Sequence, residues 1–183
     1  GIDIIAWECD YPHSDCFWPD APEHCHVSEG YRLLQTLGAL DDERRLTPLG
    51  RELARLPLDP RLARIVLAGR GTPCQDLICI LAAALSVQDP HEVPPDAKDT
   101  ARKKHLEWRH PRSDCLSLLN LWTRWQKWSE DSSNRQLRRV CRDNFVSYLR
   151  MEEWEAVYKQ IVDMLRGKAA AAAAQTSGKY RIP

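Results

Sequence analysis

The sequence predicts a mainly α-helical protein, in which a winged helix with a small β-hairpin precedes a helical bundle. One observation is that leucines recur at helical spacing on both sides of a short charged turn. A second is that Thr47-Pro48 and Asp59-Pro60 each supply a capping residue followed by proline, which favours the start of a helix. A third is the series of amphipathic segments that follows residue 60.

The winged-helix domain is expected at residues 28–59, after an N-terminal connector of residues 1–27. Its first helix has a leucine stripe and ends at Gly38, because glycine commonly follows the last turn of a helix. The charged turn at residues 41–45 joins two short apolar pieces, as in a hairpin. The order helix, hairpin, helix is typical of a small winged-helix unit.

The second helix of this unit, residues 49–56, occupies the position from which a winged helix can read DNA. It carries Arg51 and Arg55 one turn apart, with Glu52 between them. Mixed charges at this spacing indicate a solvated face, and groove reading is the weaker alternative.

The helical bundle is expected at residues 60–166. Residues 76–86 are apolar nearly all round, which predicts a buried central helix. Ser113 can cap a later helix whose stripe includes Trp122 and Trp125. These tryptophans are interpreted as core, with a base-stacking platform as the alternative.

Residues 134–149 form the most informative predicted helix. Its buried side is marked by Leu137, Cys141, Phe145 and Tyr148, and its other side by Arg135, Arg138, Arg139 and Arg142. Such an arginine side can neutralise backbone phosphates, or it can pair with acidic residues of neighbouring helices, and the pattern leaves both open. A last amphipathic helix is expected at residues 151–165, followed by a tail of uncertain register, residues 167–183, with an alanine run.

Composition limits the function without selecting one. Lys+Arg and Asp+Glu number 26 each, so the formal net charge is zero and any basic surface must be local. The chain has no long apolar run and no signal-peptide pattern, which predicts a soluble, cytoplasmic protein without a membrane partner. Seven scattered cysteines indicate a reducing compartment, where free cysteines inside helical patterns behave as small apolar residues.

No catalytic or metal site is predicted. The N-terminal residues with ligand chemistry are Cys9, His13, Cys16, His24, Cys25 and His26. They lack a C-x2-C or H-x3–5-H pair, so we expect loop and packing residues, with a zinc-binding N-terminal module as the alternative. The chain contains neither G-x-x-x-x-G-K-[ST] nor a DEAH box, so we do not expect it to hydrolyse ATP alone.

Four separated blocks carry a family resemblance: GYRLLQTLGALDDERRLTPLGRELARLPLDPRLARIVLAG, LAAALSVQDPHEVP, HPRSDCLSLLNLW and RRVCRDNFVSYLRMEEW. In this order they resemble the helicase-associated region of the DEAH-box ATP-dependent RNA helicases, most of all the bacterial HrpA-like branch. The resemblance extends over most of the chain. It implies that the bundle is a ratchet-like domain and that the motor domains of the parent helicase lie upstream.

The resemblance also implies partners and sites. The bundle would lie against single-stranded RNA and support translocation and unwinding, while the winged helix packs against the motor domains. Arg138 and Arg142 are the first candidates for RNA contacts, and Arg112, Ser113 and Arg150 are further ones. No cofactor is expected here, since ATP and Mg²⁺ would belong to the motor domains. The ribosome and mRNA are further partner candidates, and the alternative function is a non-enzymatic adaptor that binds another protein.

Overall fold

The computed structural model describes the backbone of residues 22–177 and the side chains of residues 28–166. In this part of the chain the fold consists of helices joined by short connections, with two isolated β-bridges, so the mainly α-helical fold class is confirmed. The helices are α1 (Pro22–Thr36), α2 (Pro48–Leu53), α3 (Pro60–Ala68), α4 (Gln75–Ser86), α5 (Lys98–His105), α6 (Asp114–Asp131), α7 (Asn134–Asp143) and α8 (Tyr148–Ser177).

The ends of α1 and α8 extend past two predicted domain boundaries. Helix α1 begins six residues before residue 28, where the winged-helix domain was expected to begin. Helix α8 begins at Tyr148 and continues through the alanine run of the predicted tail. Helices can continue from one domain into the next, so the predicted boundaries stay predictions.

Helix α1 ends in the way that its glycine predicts. Gly38 has φ +73°, the left-handed conformation that glycine adopts without steric cost. The N–H of Gly38 donates to the carbonyl of Gln35, and the N–H of Ala39 donates to the carbonyl of Leu34. This pair of bonds is the Schellman motif, and it turns the chain from α1 into the hairpin.

The predicted hairpin is one antiparallel bridge between Leu40 and Leu46. The turn between them is closed by Asp41, whose carboxylate accepts the backbone N–H of Arg45 at 2.8 Å and its Nε at 3.0 Å. These bonds hold the pKa of Asp41 below its ordinary value. The wing of this winged helix is therefore short and held by local polar contacts.

Helix α2 is joined to the hairpin through Thr47 and Gly50. Thr47 is the N-cap, since its hydroxyl accepts the N–H of Gly50 at 2.9 Å, and the hydroxyl donates to the carbonyl of Gly38 at 2.6 Å. A Cβ on Gly50 would lie 2.1 Å from the carbonyl oxygen of Ala39. Asp59 caps α3 as predicted, accepting the N–H of Arg61 at 2.8 Å.

The bundle is organised around α4, which packs against α3, α6 and α8. Helix α8 runs antiparallel to α4: Trp154 Nε1 donates to the carbonyl of Ile80 at 2.9 Å, and the Tyr158 hydroxyl donates to Asp76 at 2.7 Å. The expected burial of α4 on all sides is wrong for one stripe, because Leu77 and Leu85 are 46% and 58% exposed. The neighbouring helices cover the other sides and leave this stripe facing outward.

The tryptophan stripe of α6 is core, as interpreted. Trp122 and Trp125 are buried, and the ring centroid of Trp122 lies 5.1 Å from that of Trp154 in α8. Ser113 caps α6 by accepting the N–H of Leu116 at 3.2 Å. Because bases cannot reach buried rings, the alternative of a base-stacking platform at Trp122 and Trp125 is wrong.

The helix predicted at residues 134–149 is two helices, and this prediction is corrected. Helix α7 ends at Asp143, and Phe145 adopts the left-handed conformation with φ +55°. The N–H of Phe145 donates to the carbonyl of Arg142, and the N–H of Val146 donates to that of Cys141. The motif matches the one at the end of α1, but phenylalanine occupies the glycine position.

The cysteines of the described region divide into two groups. Cys79 and Cys141 are buried, and burial raises the pKa of each thiol to about 11, so they act as small apolar residues as predicted. Cys74 and Cys115 are exposed, which corrects the same prediction for them. Both lie at the beginning of a helix, on the side that faces water.

The sequence analysis also considered a zinc site and membrane-spanning segments. The side chains considered for zinc, between residues 9 and 26, lie outside those that the structure describes. Among the described side chains, no group of three or more His, Cys, Asp or Glu is arranged to hold a metal ion. The helices of the described region include none with the length and apolarity needed to cross a membrane.

The Gly50 contact gives a stability prediction. Gly50→Ala should lower the free energy of unfolding by about 2 kcal/mol, because the added methyl group must displace the hairpin backbone. Gly30→Ala is the matched control: Gly30 lies inside α1 with open space around its Cβ position, and this change should raise stability by about 0.5–1 kcal/mol. Urea unfolding followed by circular dichroism measures both. Equal effects of the two substitutions would contradict the close approach of α2 to the hairpin.

Candidate functional site

The candidate site is the outer side of α7, which we call the arginine face and which consists of Arg135, Arg138, Arg139 and Arg142. All four side chains are exposed, whereas Leu137 and Cys141 on the inner side are buried in the core. Gln136 fixes the start of the helix by accepting the N–H of Ser133 at 2.9 Å. The apolar inner side therefore orients the helix so that its arginines point to solvent.

The arginine face is hardly neutralised by the protein. Arg139 lies 3.8 Å from Asp143, and both side chains are largely exposed, so this ion pair contributes little. No ion pair of the described residues involves Arg135, Arg138 or Arg142. The structure therefore contradicts the alternative, in which these arginines pair with acidic residues of neighbouring helices.

Two shallow hollows lie along the arginine face. One, of about 650 Å³, is lined by Arg135, Gln136, Arg139, Arg142 and Asp143. The other, of about 390 Å³, is lined by Asn134, Arg135, Arg138 and Arg142. Every lining residue belongs to α7, so both hollows lie between long side chains and not in a cleft between helices. An open cationic surface of this kind suits an extended anion better than an enclosed small molecule.

The other predicted site residues have separate surroundings. The side chain of Arg112 is exposed, and its backbone N–H donates to His110 Nδ1 at 3.3 Å. The hydroxyl of Ser113 is used as the N-cap of α6. Arg150 donates from Nη1 to the carbonyl of Asp89 at 2.8 Å. The structure thus brings Arg138 and Arg142 together at one hollow. The RNA contacts of all five residues stay predictions.

Comparisons with known proteins bear on most of the chain. Residues 31–58 match the family model of the helicase associated domain (HA2), winged-helix, and residues 59–118 match that of the helicase associated domain (HA2), ratchet-like. Over 149 residues, 78% of this chain, it is 40% identical to the ATP-dependent RNA helicase HrpA homolog of Haemophilus influenzae. The chain belongs to the helicase-associated region of the DEAH-box RNA helicases.

Other relatives of this helicase-associated region are also named ATP-dependent RNA helicases. The chain is 39% identical over 152 residues, 80% of its length, to the ATP-dependent RNA helicase HrpA of Escherichia coli. It is 32% identical over 146 residues, 79% of its length, to the DExH-box ATP-dependent RNA helicase DExH3 of Arabidopsis thaliana. The alignments cover 11–12% of these three relatives, so the chain spans about a tenth of their length.

The arginine face lies beyond the part of the helicase-associated region that the family models match. The ratchet-like match ends at residue 118, and α7 begins at Asn134. Membership of the family therefore identifies the winged helix and the first half of the bundle. The exposure and lack of ion pairs of Arg138 and Arg142 are properties of this structure.

A histidine cluster that sequence analysis missed supports the end of α7. His91 Nδ1 lies 2.6 Å from the carboxylate of Asp89, and Trp108 Nε1 donates to His91 Nε2 at 3.0 Å. Because an indole can only donate, the proton of a neutral His91 is on Nδ1. His105 lies beside it, with ring centroids 4.6 Å apart. The spacing of His91, His105 and Trp108 in the sequence does not indicate that they are partners.

His105 connects this cluster to the left-handed residue after α7. Its Nε2 donates to the carbonyl of Phe145 at 3.0 Å, and the N–H of Glu92 donates to the same carbonyl at 2.9 Å. Burial lowers the pKa of His105 below its ordinary value of 6.5. Burial by itself would raise the pKa of Asp89, but hydrogen bonds from the backbone and ring of His91 hold it below its ordinary value.

The lowered pKa of His105 predicts acid sensitivity. The unfolded chain binds the proton more readily than the folded one, so the free energy of unfolding should fall as the pH drops below about 6.5. Asp89 stays ionised in this range and does not contribute to the change. His105→Gln should lower stability at about pH 7.5 and reduce the decline between about pH 7 and pH 5. Thermal unfolding over this pH series, with His110→Gln as the control outside the cluster, measures the effect. An unchanged pH profile in His105→Gln would contradict it.

Proposed function

We propose that this helicase-associated region forms one wall of the single-stranded RNA channel of an ATP-dependent RNA helicase. The observation that carries the proposal is the arginine face, in which Arg135, Arg138 and Arg142 are exposed and have no ion pair in the described structure. An RNA strand offers phosphates at regular intervals, and arginine binds phosphate through a planar fork of N–H donors. The names of the relatives, which are RNA helicases, support RNA as the anion.

The mechanism follows from contacts to the backbone. Arginines that bind phosphates hold a strand without reading its bases, as a protein that moves along RNA requires. In this proposal the motor domains of the parent protein bind ATP and Mg²⁺ and pull the strand. The bundle closes the channel opposite the motors and hinders slippage between steps, while the winged helix packs on the motors. The proposal includes a cytoplasmic location, with messenger RNA or the ribosome supplying the strand.

The rival function is a non-enzymatic adaptor whose tryptophan-rich bundle binds another protein. The burial of Trp122, Trp125 and Trp154 counts against it, because these rings are not available to a partner. The exposed leucines of α4 are the feature that favours it. An adaptor of this kind has no reason to bind RNA with strong salt dependence, so RNA binding separates the two functions.

The test is the affinity of the chain for single-stranded RNA. Arg138→Gln with Arg142→Gln should weaken binding by about tenfold at low salt, because two phosphate contacts are lost. The slope of log K against log salt should become less steep by about 0.7 for each arginine. Fluorescence anisotropy with a labelled oligonucleotide between about 50 and 300 mM salt measures both quantities.

The matched control is Arg51→Gln in α2 with Arg55→Gln in the turn that follows this helix. Both of these arginines are exposed and lie four positions apart in the sequence, like Arg138 and Arg142, but outside the arginine face. The control should retain the affinity and the salt slope of the natural chain. If the control and the α7 variant lose affinity equally, or if neither changes, the arginine face is not the RNA-binding surface.

A further inference from the structure

Tyr148, the first residue of α8, lies between the core and the arginine face. On one side its ring centroid is 5.9 Å from that of the buried Trp125. On the other side the guanidinium carbon of Arg138 lies 4.8 Å from the centre of the Tyr148 ring. The three side chains form a series of contacts that begins in the core and ends at a solvent-exposed cation.

The orientation of the tyrosine ring is set from both ends. Trp125 Nε1 donates to Glu155 at 2.9 Å, which fixes the indole beneath the ring. The hydroxyl of Tyr148 donates to the carboxylate of Glu152, one turn further along α8. This bond raises the pKa of Tyr148 above its ordinary value. The tyrosine therefore offers Arg138 a rigid aromatic surface.

Stacking on a ring and binding a phosphate use different parts of arginine. When a guanidinium lies face-on to a ring, its N–H groups lie in its plane and point outward from its edge. In that arrangement Arg138 keeps its contact with the ring while its edge binds an anion. A long flexible side chain loses rotamer entropy when it binds, and part of that loss has already occurred in a side chain held by a ring.

Arg138 differs in this respect from the other residues of the arginine face. Within the described structure, Arg139 has only its long ion pair with Asp143, and neither Arg135 nor Arg142 contacts an aromatic ring. The held arginine also borders the hollow that Arg135 and Arg142 share. One arginine held by a ring thus lies beside arginines that have no such contact.

We propose that Tyr148 is a positioning residue that holds Arg138 in the orientation that binds RNA phosphate. This inference rests on the proposed function, because it assigns a support to the same site. Its consequence is that removal of the ring weakens RNA binding through Arg138 alone. The number of phosphates contacted stays the same, since Arg138 keeps its charge.

The experiment is a double-mutant cycle in the full chain with Arg138→Gln, Tyr148→Leu and the double variant. A labelled single-stranded RNA is the probe. Tyr148→Leu should weaken binding about two- to fivefold, the range of an exposed cation–π contact, and leave the salt slope unchanged. Arg138→Gln should make the slope less steep. In the Arg138→Gln background, Tyr148→Leu should change the affinity by less than about 1.5-fold, because no guanidinium remains to be held.

Two further variants keep the test decisive if Tyr148→Leu fails to fold. Tyr148→Phe keeps the ring, loses the bond to Glu152, and should bind RNA within about twofold of the natural chain. Arg138→Lys keeps the charge and removes the planar group that stacks, so it should weaken binding as Tyr148→Leu does and preserve the salt slope. Thermal unfolding of each variant identifies any loss of fold.

The outcomes distinguish this inference from the proposed function. If Arg138→Gln weakens binding but the effect of Tyr148→Leu is the same in both backgrounds, the arginine face stands and the positioning role is overturned. Full affinity of Arg138→Lys also overturns the positioning role. If Arg138→Gln leaves both affinity and salt slope unchanged, the site itself is overturned, and the positioning role with it.

Discussion

The arrangement of the second half of the bundle depends on two hydrogen bonds to the carbonyl of Phe145. This carbonyl accepts the N–H of Glu92 and Nε2 of His105, and so joins the turn between α7 and α8 to the loop after α4 and to the end of α5. A left-handed phenylalanine is costly by itself and persists where its surroundings fix it. Because the chain turns there, Tyr148 begins a new helix and its ring comes to lie beneath Arg138.

The same arrangement explains how a chain of zero net charge can present a cationic surface. Helix α7 buries Leu137 and Cys141, and the described core contains no buried polar or charged residue. Arg135, Arg138 and Arg142 are exposed and have no ion pair in the described structure, so no ion pair of theirs must break before an anion binds. Local separation of charge on a rigid helix, and not overall composition, gives the proposed RNA wall its chemistry.

The accuracy of the sequence predictions depends on how local the underlying interaction is. The starts of α2, α3 and α6 follow from the side chains of Thr47, Asp59 and Ser113, each of which accepts a backbone N–H two or three residues ahead. The ends of α1 and α7 use one backbone motif. Gly38 allows the end of α1 to be predicted from the sequence, whereas Phe145 gives no signal for the end of α7. The left-handed conformation of Phe145 is fixed by contacts with residues 40 and more positions away.

For the candidate site, the sequence by itself determined that four arginines share one side of a helix, because helical periodicity needs only neighbouring residues. It also determined the family, whose blocks are continuous segments of chain. Only the tertiary structure decided that the arginines lack acidic partners, that Tyr148 supports Arg138, and that His91 and His105 meet Trp108 and Phe145. The histidine contacts join residues 17 and 40 positions apart in the chain. The contact between Tyr148 and Arg138 depends on how α8 packs against α7, which local helix propensity does not set.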